Sequence, residues 1–353
     1  MKKILIIGPA WVGDMVMSQS LYIVLKQRHP DSQIDVIAPG WCKPILERMP
    51  EIHQAIEMPI GHGEFNLLGR REIGKSLREK QYDHAYILPK SAKSALIPWF
   101  ANIPLRTGWK GEMRYGLLND LRPQHEVFSI HGRTLCSISL SKSEMVDSNS
   151  LGGLETLPPR PRLAINAAEQ QATLKKFNLT QDQPIIGLCP GAEFGPAKKW
   201  PETHYAEVAT QMARSGHQIW LFGSQKDLET CNNIRALVPT QFHENIHVLA
   251  GQTSLIEAVD LLAACKAVVA NDSGLMHVAA AVGCNVVAVY GSTSPKYTPP
   301  TRRKVEIVHT DIDCRPCFQR ECQYKHLKCL TELSPKQVLD SIQKLDAITI
   351  SSC

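Results

Sequence analysis

The sequence predicts an α/β protein of two domains, each built on a parallel sheet, with the functional residues in loops where strands end. Three observations carry this reading. Short runs of successive apolar residues alternate with stretches of helical period, and such runs mark strands covered on both faces. A length of 353 residues exceeds what one ordinary core holds. The two halves also open alike, "ILIIGPAWVGD" against "IIGLCPGAEFG", each a strand meeting glycine and proline. That echo suits two Rossmann-like domains facing each other across a cleft.

In chain order, Lys2–Ile7 reads as a buried strand and Met15–Arg28 as the helix after it, with further strands at Ile34–Ala38 and Ala85–Leu88. Residues 141–160, rich in Ser, Gly and Pro, read as a surface loop. The first domain is placed at 1–166 and the second at 167–333, with a linker near 178–184 where the pattern restarts. Ile185–Cys189 is the next strand. Pro201–Arg214 reads as a helix with Pro at its first position, Tyr205, Val208, Ala209 and Met212 on one face, and Gly216 as its stop. Strands follow at Ile219–Phe222, Val268–Ala270 and Val286–Tyr290. Between the last two, Asp272 and Ser273 suit a helix N-cap, and Gly283 suits its end. Leu275, Val278, Ala279 and Val282 form one apolar stripe, roughly opposite His277. Ser334-Pro335 starts a last helix whose Val338, Ile342 and Leu345 need a packing surface, and for the tail 334–353 the first domain is the expected one.

A hydrophobic content of 43% and a charged content of 21% are those of a globular protein. Thirty-nine Lys and Arg against 34 Asp and Glu leave +5, too mild for a dedicated nucleic-acid binder but open to a local basic patch. After MKK only four apolar residues precede Gly8, shorter than a signal peptide or membrane span requires, so the chain is expected in the cytosol. There, eleven cysteines do not argue for a disulfide framework. Cys42, Cys136, Cys189, Cys231, Cys265 and Cys284 are scattered and read as small core residues. Cys314, Cys317, Cys322 and Cys329 are clustered around His326. Four thiolates with a leading C-x2-C fit a structural zinc, and the irregular spacing equally allows disulfides or free thiols.

Four groups of residues could carry chemistry. The first loop, Gly8 to Gly13, has the G-x4-G of a phosphate loop, but Asp14 stands where lysine is required. A carboxylate there would repel phosphate; it could accept a proton from a hydroxyl, or simply cap the helix. In "CPGAEFGPAKKWP", Gly191 allows a tight turn, and Lys198 and Lys199 bring cations just before a helix start, a common way to hold phosphate. "NDSGLMHVAAA" offers another helix start, and "YGSTSP" another small-residue loop on the same rim. Lys90, Lys93, Arg106, Lys110, Arg114 and Arg122, interleaved with Trp99, Trp109 and Tyr115, form either a site for an anionic partner or a plain solvated face. Ligands of open α/β sheets bind beyond the carboxyl ends of strands, where these groups fall.

"GPAWVGDMVMSQSLY", "TGWKGEMRYGLLND", "CPGAEFGPAKKWP" and "NDSGLMHVAAA" together resemble the ADP-heptose:lipopolysaccharide heptosyltransferases, inverting enzymes of glycosyltransferase family 9 with the GT-B fold. The resemblance runs over nearly the whole chain. It implies Asp14 as general base and Lys198 on the donor diphosphate. It also implies Asp272, Ser273, Gly274, Leu275 and His277 on the donor sugar and phosphates, and it groups Gly191 with the donor site. The implied reaction moves L-glycero-D-manno-heptose from ADP-heptose to the first heptose of the Kdo2–lipid A inner core, at the cytoplasmic face of the inner membrane. The basic residues from Lys90 to Arg114 then receive an anionic acceptor. No Asp-x-Asp motif accompanies the lysine and helix start, so the chemistry is expected to need no metal and no cofactor. Related enzymes hold ribose with a glutamate that has no counterpart in Phe222–Asp227, so the ribose contact is unassigned.

Two rivals remain at this stage. An NAD-dependent oxidoreductase would share the alternating pattern, but G-x-G-x-x-G is missing. A non-catalytic sugar-nucleotide-binding protein is disfavoured only by the presence of Asp14 and Lys198. Oligomeric state is not legible.

Overall fold

The computed structural model describes residues 1–61, 63–123, 135–139, 158–301 and 304–350. The loop read at 141–160 lies almost wholly outside them. The chain divides into two compact units, Met1–Leu163 and Ala164–Cys353.

In the first unit, β1 (Lys3–Ile7), β2 (Gln33–Ala38), β3 (Gln54–Glu57), β4 (His84–Ile87), β5 (Leu105–Trp109) and β6 (Asp120–Arg122) form one sheet in the order β3-β2-β1-β4-β5-β6. Every pairing is parallel. β1 is central, and Ile4, Leu5 and Ile6 are fully buried. One face packs Leu5, Ile7, Ile37 and Ile87 against Tyr82 and Ile97. Burying each such side chain is worth roughly 1.5–3 kcal/mol, which sends an unbroken apolar run to the centre of a sheet. The helix Val12–Arg28 follows, buried almost continuously from Met15 to Leu25. Its polar residues are satisfied internally: the Ser18 hydroxyl bonds the Met15 carbonyl at 2.7 Å and Tyr22 at 2.8 Å. Gln19 exchanges two hydrogen bonds with the backbone of Arg162, at 2.7 and 2.8 Å. These bonds hold the last stretch of the unit to the helix.

In the second unit, β7 (Ile185–Cys189), β8 (Gln218–Leu221), β9 (Ile246–Val248), β10 (Ala267–Asn271), β11 (Asn285–Val289) and β12 (Val305–Val308) form a second all-parallel sheet, ordered β12-β11-β10-β7-β8-β9. The helices Glu202–Arg214 and Gly274–Ala281 end as the glycines foretold, with Gly216 and Gly283 at positive φ of 79° and 102°. Their last turns close through His217 N–H to the Met212 carbonyl and Cys284 N–H to the Ala279 carbonyl, each at 3.1 Å.

Several expectations need correction. Residues 178–184 are not a linker between domains; they join the helix Ala167–Lys176 to β7 inside the second unit. That helix is tied there by Gln170, whose amide donates to the Asp260 carbonyl at 2.8 Å. The last helix, Pro335–Ile350, was expected on the first unit, but its Val338, Ile342 and Leu345 belong to the core of the second. Its apolar stripe finds the face of the sheet nearest in sequence. Pro201 sits at the N-cap of its helix rather than at the first helical position. The helix Gly274–Ala281 is buried around most of its circumference, not on one stripe, because Met276 and His277 are covered as well as Val278 and Ala279. Among the described residues, no helix is long and apolar enough to cross a membrane.

Candidate functional site

Both strand orders reverse direction at the first strand of the unit, between β1 and β4 and between β7 and β10. In open α/β sheets the crevice for ligands lies at that reversal, beyond the carboxyl ends of the strands. Asp14 follows β1 and Lys90 follows β4; Lys198 follows β7 and Asp272 follows β10. The chemistry-bearing residues thus fall at the switch point of each sheet.

In the second unit, Asp272 is the hub. Its side chain is 4% exposed, and the Lys198 ammonium donates to Oδ2 at 2.6 Å. The Thr293 hydroxyl donates to the same oxygen at 2.6 Å. Ser273 holds the N-cap position of the next helix with extended backbone, yet its side chain makes no cap hydrogen bond. Its Oγ is buried without a protein partner. The first N–H groups, those of Gly274 to Met276, are therefore not spent on a capping side chain, and Lys198 is held beside them by Asp272. The Lys198 ammonium also lies 4.9 Å from the centre of the Phe194 ring. Such an assembly offers charge and N–H donors to an anion.

Asn271, a residue the sequence reading passed over, fixes the geometry. Its amide is fully buried and donates to the Pro190 carbonyl at 2.6 Å, while its oxygen accepts from Trp200 N–H at 3.2 Å and Tyr205 hydroxyl at 3.1 Å. Trp200 in turn donates its indole N–H to the Leu333 carbonyl at 3.0 Å. The lysine loop is thereby clamped to the end of β10. Gly191 serves close approach rather than a left-handed turn: a Cβ there would lie 2.6 Å from the Asp227 carboxyl. Asp227 itself binds Ser224 N–H at 3.0 Å and pairs with Lys199 at 3.7 Å.

In the first unit, Asp14 lies in the first turn of its helix, and the N-cap is Trp11, with no side-chain cap. The plain capping role weighed for Asp14 is thus not the one it has. Trp41 donates its indole N–H to the Ala10 carbonyl at 2.8 Å, pinning the loop that presents Asp14.

The basic group divides. Arg114 is 1% exposed and donates to the Pro89 and Trp109 carbonyls. Arg106 is spent on the Leu117 and Ile103 carbonyls, and Arg122 on Asp120 at 2.7 Å. All three are internal struts, a correction to the open patch expected. Loops with many unpaired carbonyls recruit guanidinium groups, whose forked donors satisfy several at once. Lys90 and Lys110 are exposed at adjacent strand ends, and half-exposed Lys93 reaches the Gly63 carbonyl. Trp11, Trp41, Trp99 and Tyr115 are exposed in the same unit.

The scattered cysteines are buried core residues, as expected. The clustered four are free thiols, and among the described residues no three His, Cys, Asp or Glu side chains are grouped to hold a metal ion. The zinc expectation is withdrawn.

Comparison with known proteins gives a consistent result. A family model described as glycosyltransferase family 9 (heptosyltransferase) matches residues 70–328. The chain is 47% identical over 348 residues to lipopolysaccharide heptosyltransferase 2 of Escherichia coli K12, covering 97% of this chain and 98% of that protein. It is 47% identical to lipooligosaccharide heptosyltransferase 2 of Haemophilus influenzae, covering 97% and 99%. The solved structure of E. coli ADP-heptose lps heptosyltransferase II matches with TM-score 0.86 and 46% identity over 98% of each chain. The two six-stranded parallel sheets are thus those of a GT-B fold, and the oxidoreductase and non-catalytic readings find no support.

Proposed function

As the chain belongs to glycosyltransferase family 9, the heptosyltransferases, we propose that it transfers L-glycero-D-manno-heptose from ADP-heptose to the first heptose of the Kdo2–lipid A inner core. The second unit takes the donor. Lys198 and the N–H groups opening the helix Gly274–Ala281 hold the diphosphate. Ser273, Gly274 and Leu275 border it with His277, and Asp272 keeps the lysine in place. Asp14 removes the proton of the acceptor hydroxyl as that oxygen attacks the anomeric carbon, and ADP leaves from the opposite face. Lys198 and the helix N-terminus stabilise the charge gathering on the departing diphosphate.

The observation that carries this reading is the Lys198–Asp272–Thr293 cluster beside a helix start that no side chain caps. The acceptor is part of a membrane lipid, so the enzyme works at the cytoplasmic face of the inner membrane, held there as a peripheral protein. Lys90, Lys93 and Lys110 supply charge toward its phosphates and carboxylates. The test is transfer from ADP-heptose to defined truncated inner-core acceptors. A product with one added heptose on the first heptose is expected. Transfer only to an acceptor lacking that sugar, or none with active controls, would overturn the assignment.

A further inference from the structure

None of the roles assigned above for the transfer reaction falls on the cysteine-rich segment. Cys314, Cys317, Cys322 and Cys329 nevertheless line one cavity of about 20 Å³, together with Ala197 and Ser292. That is room for about one water, so the thiols surround a single small space. Cys322 is half-exposed and opens the turn that runs through Tyr324 to Leu327, where Lys325 N–H donates to the Cys322 carbonyl at 3.0 Å. Lys325 and Leu327 adopt left-handed backbone in that turn, with φ of 57° and 49°. The backbone N–H groups of that turn, Leu327 first, favour the thiolate and hold the Cys322 thiol below its ordinary range, whereas burial pushes Cys329 up. A stabilised, accessible thiolate beside other thiols is the arrangement that reacts with peroxides and then resolves.

The segment is sewn to the donor-site loops. Arg315, between the first two cysteines, donates to the Gly291 carbonyl at 2.6 Å and the Thr293 carbonyl at 3.1 Å. Phe318 N–H donates to the Ser292 carbonyl at 2.8 Å, and Ala197 N–H donates to the Arg320 carbonyl at 3.1 Å. Thr293 binds Asp272, and Ala197 precedes Lys198. A shift of the cysteine segment therefore acts on both partners of the central ion pair.

We propose that the four-cysteine cavity is an oxidation site, in which a peroxide converts Cys322 and a neighbouring thiol to a disulfide, and that this weakens the donor pocket through Arg315 and Phe318. The Cys322 thiolate attacks a peroxide oxygen; the O–O bond breaks, a sulfenic acid forms, and the leaving hydroxide takes up a proton to become water. A second thiol of the cavity attacks that sulfur, the S–S bond forms, and the sulfenic oxygen leaves as water. Two thiols lose two electrons in all, and the peroxide is reduced. Only the effect on the donor pocket rests on the function proposed above.

The experiment treats the full chain with hydrogen peroxide, digests it with trypsin, and maps cross-links by mass, with ADP affinity measured by calorimetry before and after. Expected is a disulfide joining peptide 321–325 to 305–320 or to 329–336. ADP affinity should fall about tenfold and recover with dithiothreitol. Cys322→Ser should resist both changes, and Cys314→Ser serves as a second variant should the first fail to fold. Absence of any cross-link to 321–325 overturns the proposal, as does a cross-link that leaves ADP affinity unchanged. Cross-linking is read without ADP. A reduced protein that binds no ADP would therefore indict the donor-site reading instead.

Discussion

Removing the Lys198 ammonium should do more than delete one phosphate contact. In Lys198→Ala, Asp272 keeps the Thr293 hydroxyl at 2.6 Å but loses its cation, leaving a carboxylate that is 4% exposed in the wild type without its ion partner. A charge-assisted hydrogen bond to phosphate is worth about 1.5–3 kcal/mol. The bare carboxylate then faces the diphosphate: two unit charges about 6 Å apart, at an effective dielectric of about 20, repel by about 3 kcal/mol. Together these terms predict an ADP affinity loss of about a thousandfold or more, at about 1.4 kcal/mol per tenfold. Lys198→Ala with Asp272→Asn removes the repulsion and should recover about a hundredfold of that loss. Isothermal titration calorimetry with ADP on both variants reads the difference as a coupling energy. A single variant within about tenfold of wild type, or a double variant no tighter than the single, refutes the reasoning.

Asp14→Asn keeps the shape of the side chain but not its basicity; kcat should fall by about 10²–10⁴ while ADP affinity holds, and turnover near the wild-type rate would move the base elsewhere. Gly191→Ala places a Cβ against the Asp227 carboxyl, whose position Ser224 and Lys199 fix. It should cost about 1–3 kcal/mol of stability, read as a lowered Tm by calorimetry. His84 governs an acid-sensitive step. Burial, and after it the Lys2 charge, pushes its pKa down to about 3. Thr107 donates to Asp120 and so accepts from His84 Nε2, while Nδ1 is buried without a partner. The unfolded chain binds a proton here near pH 6.5 and the fold does not, so this stability is complete above about pH 6.5 and is lost as pH falls toward about 3, by at most about 1.4 kcal/mol per unit. Urea midpoints of His84→Gln should decline less than wild type between pH 7 and 4; parallel declines would remove His84 from the account.

The interior strands were legible because burial on both faces demands an unbroken apolar run, and β1, β7, β10 and β11 each supply one. The edge strands β3, β6, β9 and β12 were not, since QAIE, DLR, IHV and VEIV are short, broken by polar residues and resemble loops. β5 was missed for a related reason: Arg106 and Thr107 interrupt it, and both turn out to serve internal hydrogen bonds. Lys198 and Asp272 stood out by residue type beside a helix start. Thr293 and Asn271 did not, because their partners come from other strands and only the sheet order brings them together. The three arginines were misjudged because charge suggests solvent, whereas their targets are carbonyls that only the folded loops leave unpaired.

The polarity that hid the edge strands has a bearing on association. An all-parallel sheet with apolar runs such as β1 and β11 among its interior strands is the material of stacked fibrils, and its open rims are where a second chain would pair. Here each rim is three or four residues long. Glu57 closes β3, and Asp120 and Arg122 flank the middle of β6. On β12, Lys344 of the last helix pairs with Glu306 at 2.9 Å, so the helix expected to leave this unit instead guards its rim. Brevity and charge at the margins are what allow strands such as β1 and β11 to be as greasy as they are without recruiting another molecule's backbone.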